Sequence, residues 1–261
     1  SLDGEGLYLI ETLADPEQAV EILGDKDVVV SAGVDTVMHL TEVFNDPELV
    51  ARQQWGLGRP PGVNAFDNDV EFSGGAWAIT TGGGVVVAII DTGVDFSHPD
   101  LEGQIWTNPG EVPNNGLDDD NNGLIDDVHG WDFHNWDADP SDDGGHGTHV
   151  AGTIAAAANN GIGVAGVAPG ARIMAIKAMG PNGGYISSAI YGLMYAVLEG
   201  ADISNHSYGL YVDVPGFESV IQTAGSQGHV VVAAAGNDGS NNDGLPSYPA
   251  AYPTANVISV A

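Results

Sequence analysis

Val85-Val86-Val87-Ala88-Ile89-Ile90-Asp91-Thr92-Gly93 and His146-Gly147-Thr148-His149-Val150-Ala151-Gly152 are the stretches on which the fold turns. The first is an apolar, β-branched run that ends in a carboxylate and a glycine. A buried parallel strand reads that way, and open α/β sheets place ligands beyond such C-terminal strand ends. The second is a glycine-loosened turn leading into Thr153-Ile154-Ala155-Ala156-Ala157-Ala158, a strong helix former. A histidine at that helix start can face Asp91, whose charge would hold the imidazole tautomer and stabilise the imidazolium. The pair therefore reads as an acid orienting a general base.

Outward from these stretches the pattern alternates. Residues 172–177 predict a strand, and 187–199 a helix with apolar Ile190, Leu193, Met194, Val197 and Leu198. A strand at 202–207, a helix at 216–227 and strands at 229–235 and 256–260 follow. Strand–helix alternation predicts an α/β fold: a mainly parallel sheet with right-handed crossovers and helices on both faces. Residues 1–43 read as a separate small unit. Strands are expected at 7–10 and 28–30, with a helix that begins at Asp15-Pro16 and ends at Gly24.

Composition narrows the function. The 261 residues include 38 Gly and 14 Pro, which suits a loop-rich enzyme. A formal charge of −31, with only Lys26, Arg52, Arg59, Arg172 and Lys177 as basic residues, argues against nucleic acid and anionic membranes. Such a surplus of carboxylate either solvates a surface or is partly neutralised by bound cations. Without cysteine there is no disulfide or thiolate chemistry. No apolar run is long enough to span a bilayer. The chain starts at Ser1 rather than Met, and the expectation is a secreted protein whose leader has been removed.

Four blocks stand in one order: Asp91-Thr92-Gly93-Val94, Ser97-His98-Pro99-Asp100-Leu101, the His146 heptapeptide, and Val231-Val232-Ala233-Ala234-Ala235-Gly236-Asn237. At these residues the chain resembles the subtilisin-like serine proteases, over about residues 44 to 261. Phe44-Asn45-Asp46-Pro47-Glu48 and Gln53-Gln54-Trp55-Gly56-Leu57 are similar to the start of the mature domain in thermitase-like members. The resemblance implies a three-layer fold and an endopeptidase triad in which Asp91 is the acid and His146 the base. Asn237 follows a strand and Gly236, a residue that lets the backbone turn the amide into a cleft. The resemblance makes it an oxyanion donor, whose loss costs roughly 3–4 kcal/mol of barrier, a figure known from subtilisin itself. By the same resemblance, Ser207, Tyr208 and Gly209 form one edge for an extended peptide or protein substrate, and Gly183-Gly184-Tyr185 the opposite edge. Ala234, Ala235 and Gly236 would line the first specificity pocket without a charge, which favours apolar side chains. Residues 1–43 would be a propeptide remnant or an ordinary N-terminal extension.

One departure stands out. The family carries its nucleophile in a Gly-Thr-Ser-Met-Ala block, and this chain reaches Val257-Ile258-Ser259-Val260-Ala261 without one. Ser226, in Gly225-Ser226-Gln227-Gly228, lacks the first glycine of a nucleophile elbow. The expectation is that the C-terminal part is missing and that a C-terminal fragment carries the serine. The alternative is a non-catalytic, calcium-dependent peptide-binding relative.

The acidic loop, residues 102–145, and its neighbours predict cation sites, because Ca2+ takes several hard oxygen ligands together. The resemblance implies one site from Asp46, Asp100 and Asn160 with the carbonyls of Ala157, Ile162 and Val164. It implies a second from Asp132, Asn135, Asp137, Asp139 and Ser141. A third rests on spacing: Asp118, Asp120, Asn122, Leu124 and Asp126 fit the first nine positions of an EF-hand-like loop, with Gly123 at the sixth. His129 falls where the bidentate Glu would be. So many carboxylates in one loop repel each other unless a cation intervenes. His146 and His149 are not read as a zinc pair, since Gly147 replaces the Glu of His-Glu-x-x-His.

Overall fold

Strand β1, Val86–Asp91, lies inside a six-stranded sheet whose order is β2-β3-β1-β6-β7-β8. The others are β2 (Gly130–Asp132), β3 (Arg172–Lys177), β6 (Ile203–His206), β7 (Val230–Ala234) and β8 (Val257–Val260). Every pairing in this sheet is parallel, from Val86 against Arg172 to Ala234 against Val260. A separate antiparallel hairpin pairs β4 (Met179–Gly180) with β5 (Gly183–Gly184). The structure, a computed structural model, describes residues 45–50, 54, 57 and 76–261. The chain divides into two units, Ser1–Thr41 and Glu42–Ala261. All described residues belong to the second, so the strands and helix expected within 1–43 lie outside them.

Four α-helices accompany the sheet among the described residues: α1 (Pro47–Val50), α2 (His146–Ala155), α3 (Ile186–Leu198) and α4 (Pro215–Ser226). The period-two pattern of a strand explains the layering. Val87 and Ile89 of β1, with Ile173 and Ala175 of β3, pack against Ala151 and Ala155 of α2. Ala88 and Ile90, with Met174 and Ile176, pack on the other face against Leu193 and Ala196 of α3 and Phe217 and Ile221 of α4. The three-layer architecture with helices on both faces follows from these two cores, and no helix among the described residues is long and apolar enough to cross a membrane.

One element departs from expectation. The helix predicted from Thr153 starts at His146 and ends at Ala155. Its glycines are packing devices rather than breakers: a Cβ on Gly147 would lie 2.1 Å from the Gly93 carbonyl. The alanines beyond Ala155 leave the helix because Ala156 turns to ψ 141° and the Ala157 N–H donates to the Asp100 carbonyl at 2.9 Å. Tertiary bonds override helix propensity there.

The α3 layer yields a stability test. Leu193 is fully buried and Leu198 is 66% exposed on the same helix. Leu193→Ala is expected to cost about 3–5 kcal/mol by lost transfer energy and a cavity, and Leu198→Ala no more than about 0.5 kcal/mol. Urea unfolding of the two variants checks both values.

Candidate active site

The order of strands reverses at β1, which has β3 on one side and β6 on the other. The carboxyl end of β1 is therefore a topological switch point, where α/β sheets open a crevice. Asp91 ends the strand and shares the parity of Val87 and Ile89, so its side chain points to the α2 side. Its Oδ1 accepts the Thr92 N–H at 2.7 Å and faces His146 Nδ1 at 2.7 Å. A carboxylate accepts only, so the imidazole proton sits on Nδ1 and Nε2 is left bare. The acid is buried, with 1% of its side chain accessible, whereas the His146 side chain is 56% exposed. A base oriented from behind and open in front is the arrangement that can take a proton from an incoming nucleophile. Asp91 Oδ2 is buried without a hydrogen-bond partner among the described residues.

His146 is held by the turn before it. Gly145 caps α2 at φ 81° with no side chain of its own, and Asp142 supplies the missing acceptor. Asp142 Oδ2 accepts the Thr148 N–H and hydroxyl at 2.9 and 2.5 Å, and Oδ1 accepts Gly144 N, Gly145 N and the Thr92 hydroxyl. Burial pushes the Asp142 carboxyl up, but the bonds from Thr148, Thr92 and Gly144 outweigh it and hold the group down at about 2. Thr92 in turn accepts the Gly147 N–H, so strand and helix are laced together beside the acid. Lys177, opposite Asp91 in the β3 register, is buried beneath this turn. Its ammonium donates to the Thr92 and Ser141 carbonyls and to Asp143 at 2.5 Å. Nothing in the sequence pattern marked Asp142, Asp143 or Lys177 for this role beyond their neighbourhood to His146.

The two expected edges flank this pair. Gly183 and Gly184 are exposed on the hairpin that follows β3, and Gly184 has no room for a Cβ, 2.4 Å from the Ala178 carbonyl. Ser207, Tyr208 and Gly209 follow β6, and their main-chain groups make no hydrogen bond with other described residues. Ala234 ends β7, and Asn237 comes after Gly236 at φ 103°. Asn237 is exposed, and its carboxamide bonds to no described residue. It follows the carboxyl end of β7, a strand two places from β1 in the sheet. Past Ala234, Ala235 and Gly236, Asp238 accepts the Tyr211 hydroxyl. A carboxylate two residues past Gly236 was legible in the sequence; the reach of Tyr211 was not.

The acidic residues sort into three outcomes. Asp46 is fully buried and Asp100 is 4% exposed. Both close on the 157–164 loop, Asp46 accepting Asn159 N at 2.8 Å, and Asp100 accepting Asn160 Nδ2 at 2.7 Å and Val164 N at 2.8 Å. The carbonyls of Ala157, Ile162 and Val164 accept no hydrogen bond from the described residues. A Cβ on Gly163 would fall 2.2 Å from Asp100 Oδ2, so only glycine lets this loop wrap the carboxylate. Two buried carboxylates beside free carbonyls fit a hard cation.

Among the described residues, the carboxylates of Asp132, Asp137 and Asp139 do not form a converging group. Asp132 spends its oxygens on His134 N, Asn135 N and Asn135 Nδ2, while Asp137 accepts from Asp139 N and Asp139 from Ser141. The third loop is corrected. Asp118 accepts from Asn122 N and Gly123 N, Asp126 turns to Asn115 N and Gly116 N, and Leu124 packs towards the core. Positive φ at Asn121 and Asp126, 63° and 57°, rotates the chain so that Asp127 rather than Asp126 faces inward. The converging group is Asp120 with Glu111 and Asp127, whose ligand atoms lie within 4.8 Å of one another. Asn122 donates to Asp120, Asp127 and Glu199. Burial pushes Asp127 and Glu199 above the usual carboxylate range, with neighbouring carboxylates adding to it. The Asp126-Asp127 doublet was the only sequence signal for Asp127, and Glu111 had none.

The Subtilase family model matches residues 82–261. A thermophilic serine proteinase from Bacillus sp. (strain AK1) is 40% identical over 187 residues, covering 71% of this chain and 40% of its own length. Thermitase from Thermoactinomyces vulgaris is 39% identical over 187 residues, 71% of this chain and 57% of its own. Subtilisin Savinase from Lederbergia lenta is 40% identical over 209 residues, 79% and 62% respectively. The chain thus spans about half the length of these relatives. Among solved structures, proteases from Pseudoalteromonas arctica PAMC 21717 align with a TM-score of 0.64 and 31% identity, over 84% of this chain and 66% of that one.

Asp142 offers a pH test. Its carboxyl is depressed when folded, so its contribution is complete above the unfolded value of 3.8 and lost as pH falls towards about 2. Asp142→Ala is expected to lower stability at pH 7 by about 1–3 kcal/mol. Urea midpoints of variant and wild type should differ at neutral pH and converge near the acid end.

Proposed function

Because this chain belongs to the subtilase family, we propose that it forms the acid, base and substrate-edge portion of a calcium-stabilised serine endopeptidase, whose nucleophilic serine lies outside residues 1–261. The 2.7 Å contact between His146 Nδ1 and Asp91 Oδ1 at the switch point carries this reading. In it, His146 Nε2 takes the serine proton as the hydroxyl attacks a peptide carbonyl, Asp91 stabilises the imidazolium, and the same proton passes to the leaving amine. The free Asn237 carboxamide donates to the oxyanion. Main-chain groups at 183–184 and 207–209 pair with an extended peptide on either side. The outer edge of β8, where Ile258 and Val260 are 53% and 50% exposed, offers a place for such a segment to pair.

Calcium is the cation proposed for the Asp46–Asp100 loop and for Glu111, Asp120 and Asp127. Its role is to offset buried negative charge and stiffen the loops that carry the site. Export from the cell belongs to the same proposal, since abundant external calcium suits weak oxygen-rich sites.

The test is made on the complete protein. Asp91→Asn and His146→Ala are each expected to lower kcat on a peptide substrate by about 10⁴-fold or more, with KM little changed, as this triad does where it has been dissected. Hydrolysis that survives His146→Ala would overturn the reading.

For calcium, saturating Ca2+ should raise thermal stability and a chelator should reverse it, by about 2.7 kcal/mol at a hundredfold excess over Kd for each site. Asp100→Asn and Asp127→Asn should each remove part of that response, and Asp137→Asn none. Calorimetry with and without chelator reads the difference.

A further inference from the structure

A chain of polar groups runs through the core along β6. The Tyr208 hydroxyl lies 2.6 Å from His206 Nδ1, and His206 Nε2 lies 2.8 Å from Ser204 Oγ. Ser204 Oγ is 2.9 Å from His229 Nε2, and His229 Nδ1 is 2.7 Å from the Ala201 carbonyl. Ser204 and His206 are fully buried and His229 is 3% exposed, with Phe217 of α4 against the His206 ring.

The carbonyl at the far end can only accept, and this sets the direction of every link. His229 carries its proton on Nδ1, and its bare Nε2 takes the Ser204 hydroxyl. Ser204 Oγ accepts His206 Nε2–H, and the bare His206 Nδ1 takes the Tyr208 hydroxyl. A proton added to His206 would turn the Tyr208 hydroxyl away. One added to His229 would leave the Ser204 proton without its acceptor. Burial pulls His206 down to about 3, with His229 adding repulsion, and burial lowers His229 against its bond to Ala201 and the charge of Asp202. Burial, with the charge of Asp91 adding to it, keeps the Tyr208 hydroxyl protonated.

Tyr208 is the middle residue of the Ser207–Gly209 edge. Beyond it the edge is fixed by Leu210, which exchanges backbone bonds with Tyr248 at 3.0 and 2.8 Å. A Cβ on Gly209 would meet Ser247 Oγ at 2.5 Å, so the backbone is seated closely there. At Tyr208 itself the anchor is the hydroxyl.

We propose that Tyr208 is a positioning residue for the peptide-binding edge, tethered through His206, Ser204 and His229 to the Ala201 carbonyl, and that the edge holds peptide only while both imidazoles are uncharged. The inference rests on the endopeptidase reading for the edge's role, but its test does not depend on hydrolysis. The ¹⁵N-labelled protein is titrated with acetyl-tetra-alanine amide, and the amide shifts of Ser207, Tyr208 and Gly209 report the Kd. Tyr208→Phe is expected to weaken binding about five- to tenfold, the ratio for one lost hydrogen bond. Wild-type affinity should hold while both imidazoles stay uncharged and weaken as acid charges them in the fold, His206 only at about 3. His206→Gln, whose carboxamide can accept the hydroxyl without titrating, should bind at pH 7 within about twofold of wild type and lose the His206 part of the acid dependence, leaving that of His229. Imidazole ¹⁵N shifts should show His206 as the Nε2–H tautomer and His229 as the Nδ1–H tautomer. Equal peptide affinity for Tyr208→Phe and wild type, or amides at 207–209 that ignore the peptide, would overturn the proposal. The peptidase reading stands or falls separately, on His146→Ala.

Discussion

A carboxylate withdrawn from water at a strand end demands hydrogen-bond donors, and the surroundings of Asp91 are built to provide them. The Thr92 N–H and the His146 imidazole meet one oxygen. The cost of removing a charge from water is recovered only when such donors are held in place. The holding is done by backbone contact: α2 lies so close to the end of β1 that Gly147 rests on the Gly93 carbonyl. Packing at that point, more than the intrinsic preference of the helix, sets where the imidazole sits.

Charge balance is the second constraint. A chain of net charge −31 has few cations with which to pair its buried acids. Lys177 is placed under the turn that leads to His146, and it alone among the described lysines and arginines forms an ion pair. Elsewhere, buried and half-buried carboxylates meet amides and backbone N–H groups, as at Asp100 and Asp142, or crowd together, as at Glu111, Asp120 and Asp127. Where donors suffice the carboxyl is depressed, and where carboxylates share a dry space it is raised.

The sheet, its parallel sense and the Asp91–His146 contact were legible because each rests on a local pattern: a β-branched run for β1, apolar spacing for α3, and a histidine at a helix start. The cation loops were only partly legible. Spacing along 118–126 cannot report the positive φ values that turn Asp126 out and Asp127 in, and Glu111 enters through chain folding alone. The start of α2 was misplaced because Gly147 looks like a breaker until the strand it touches is known. The buried chain from Tyr208 to Ala201 depends on two strands coming into register, which no single stretch reveals.

The enclosure of Lys177 also has a practical side. Its ammonium-bearing side chain is 3% accessible, and Lys26 is the sequence's other lysine. Reagents that couple to primary amines are thereby kept off the Lys177 ammonium. Tethering the protein to a support or attaching a dye through lysine chemistry would spare the turn that seats the imidazole, a protection that arises from burial rather than from scarcity alone.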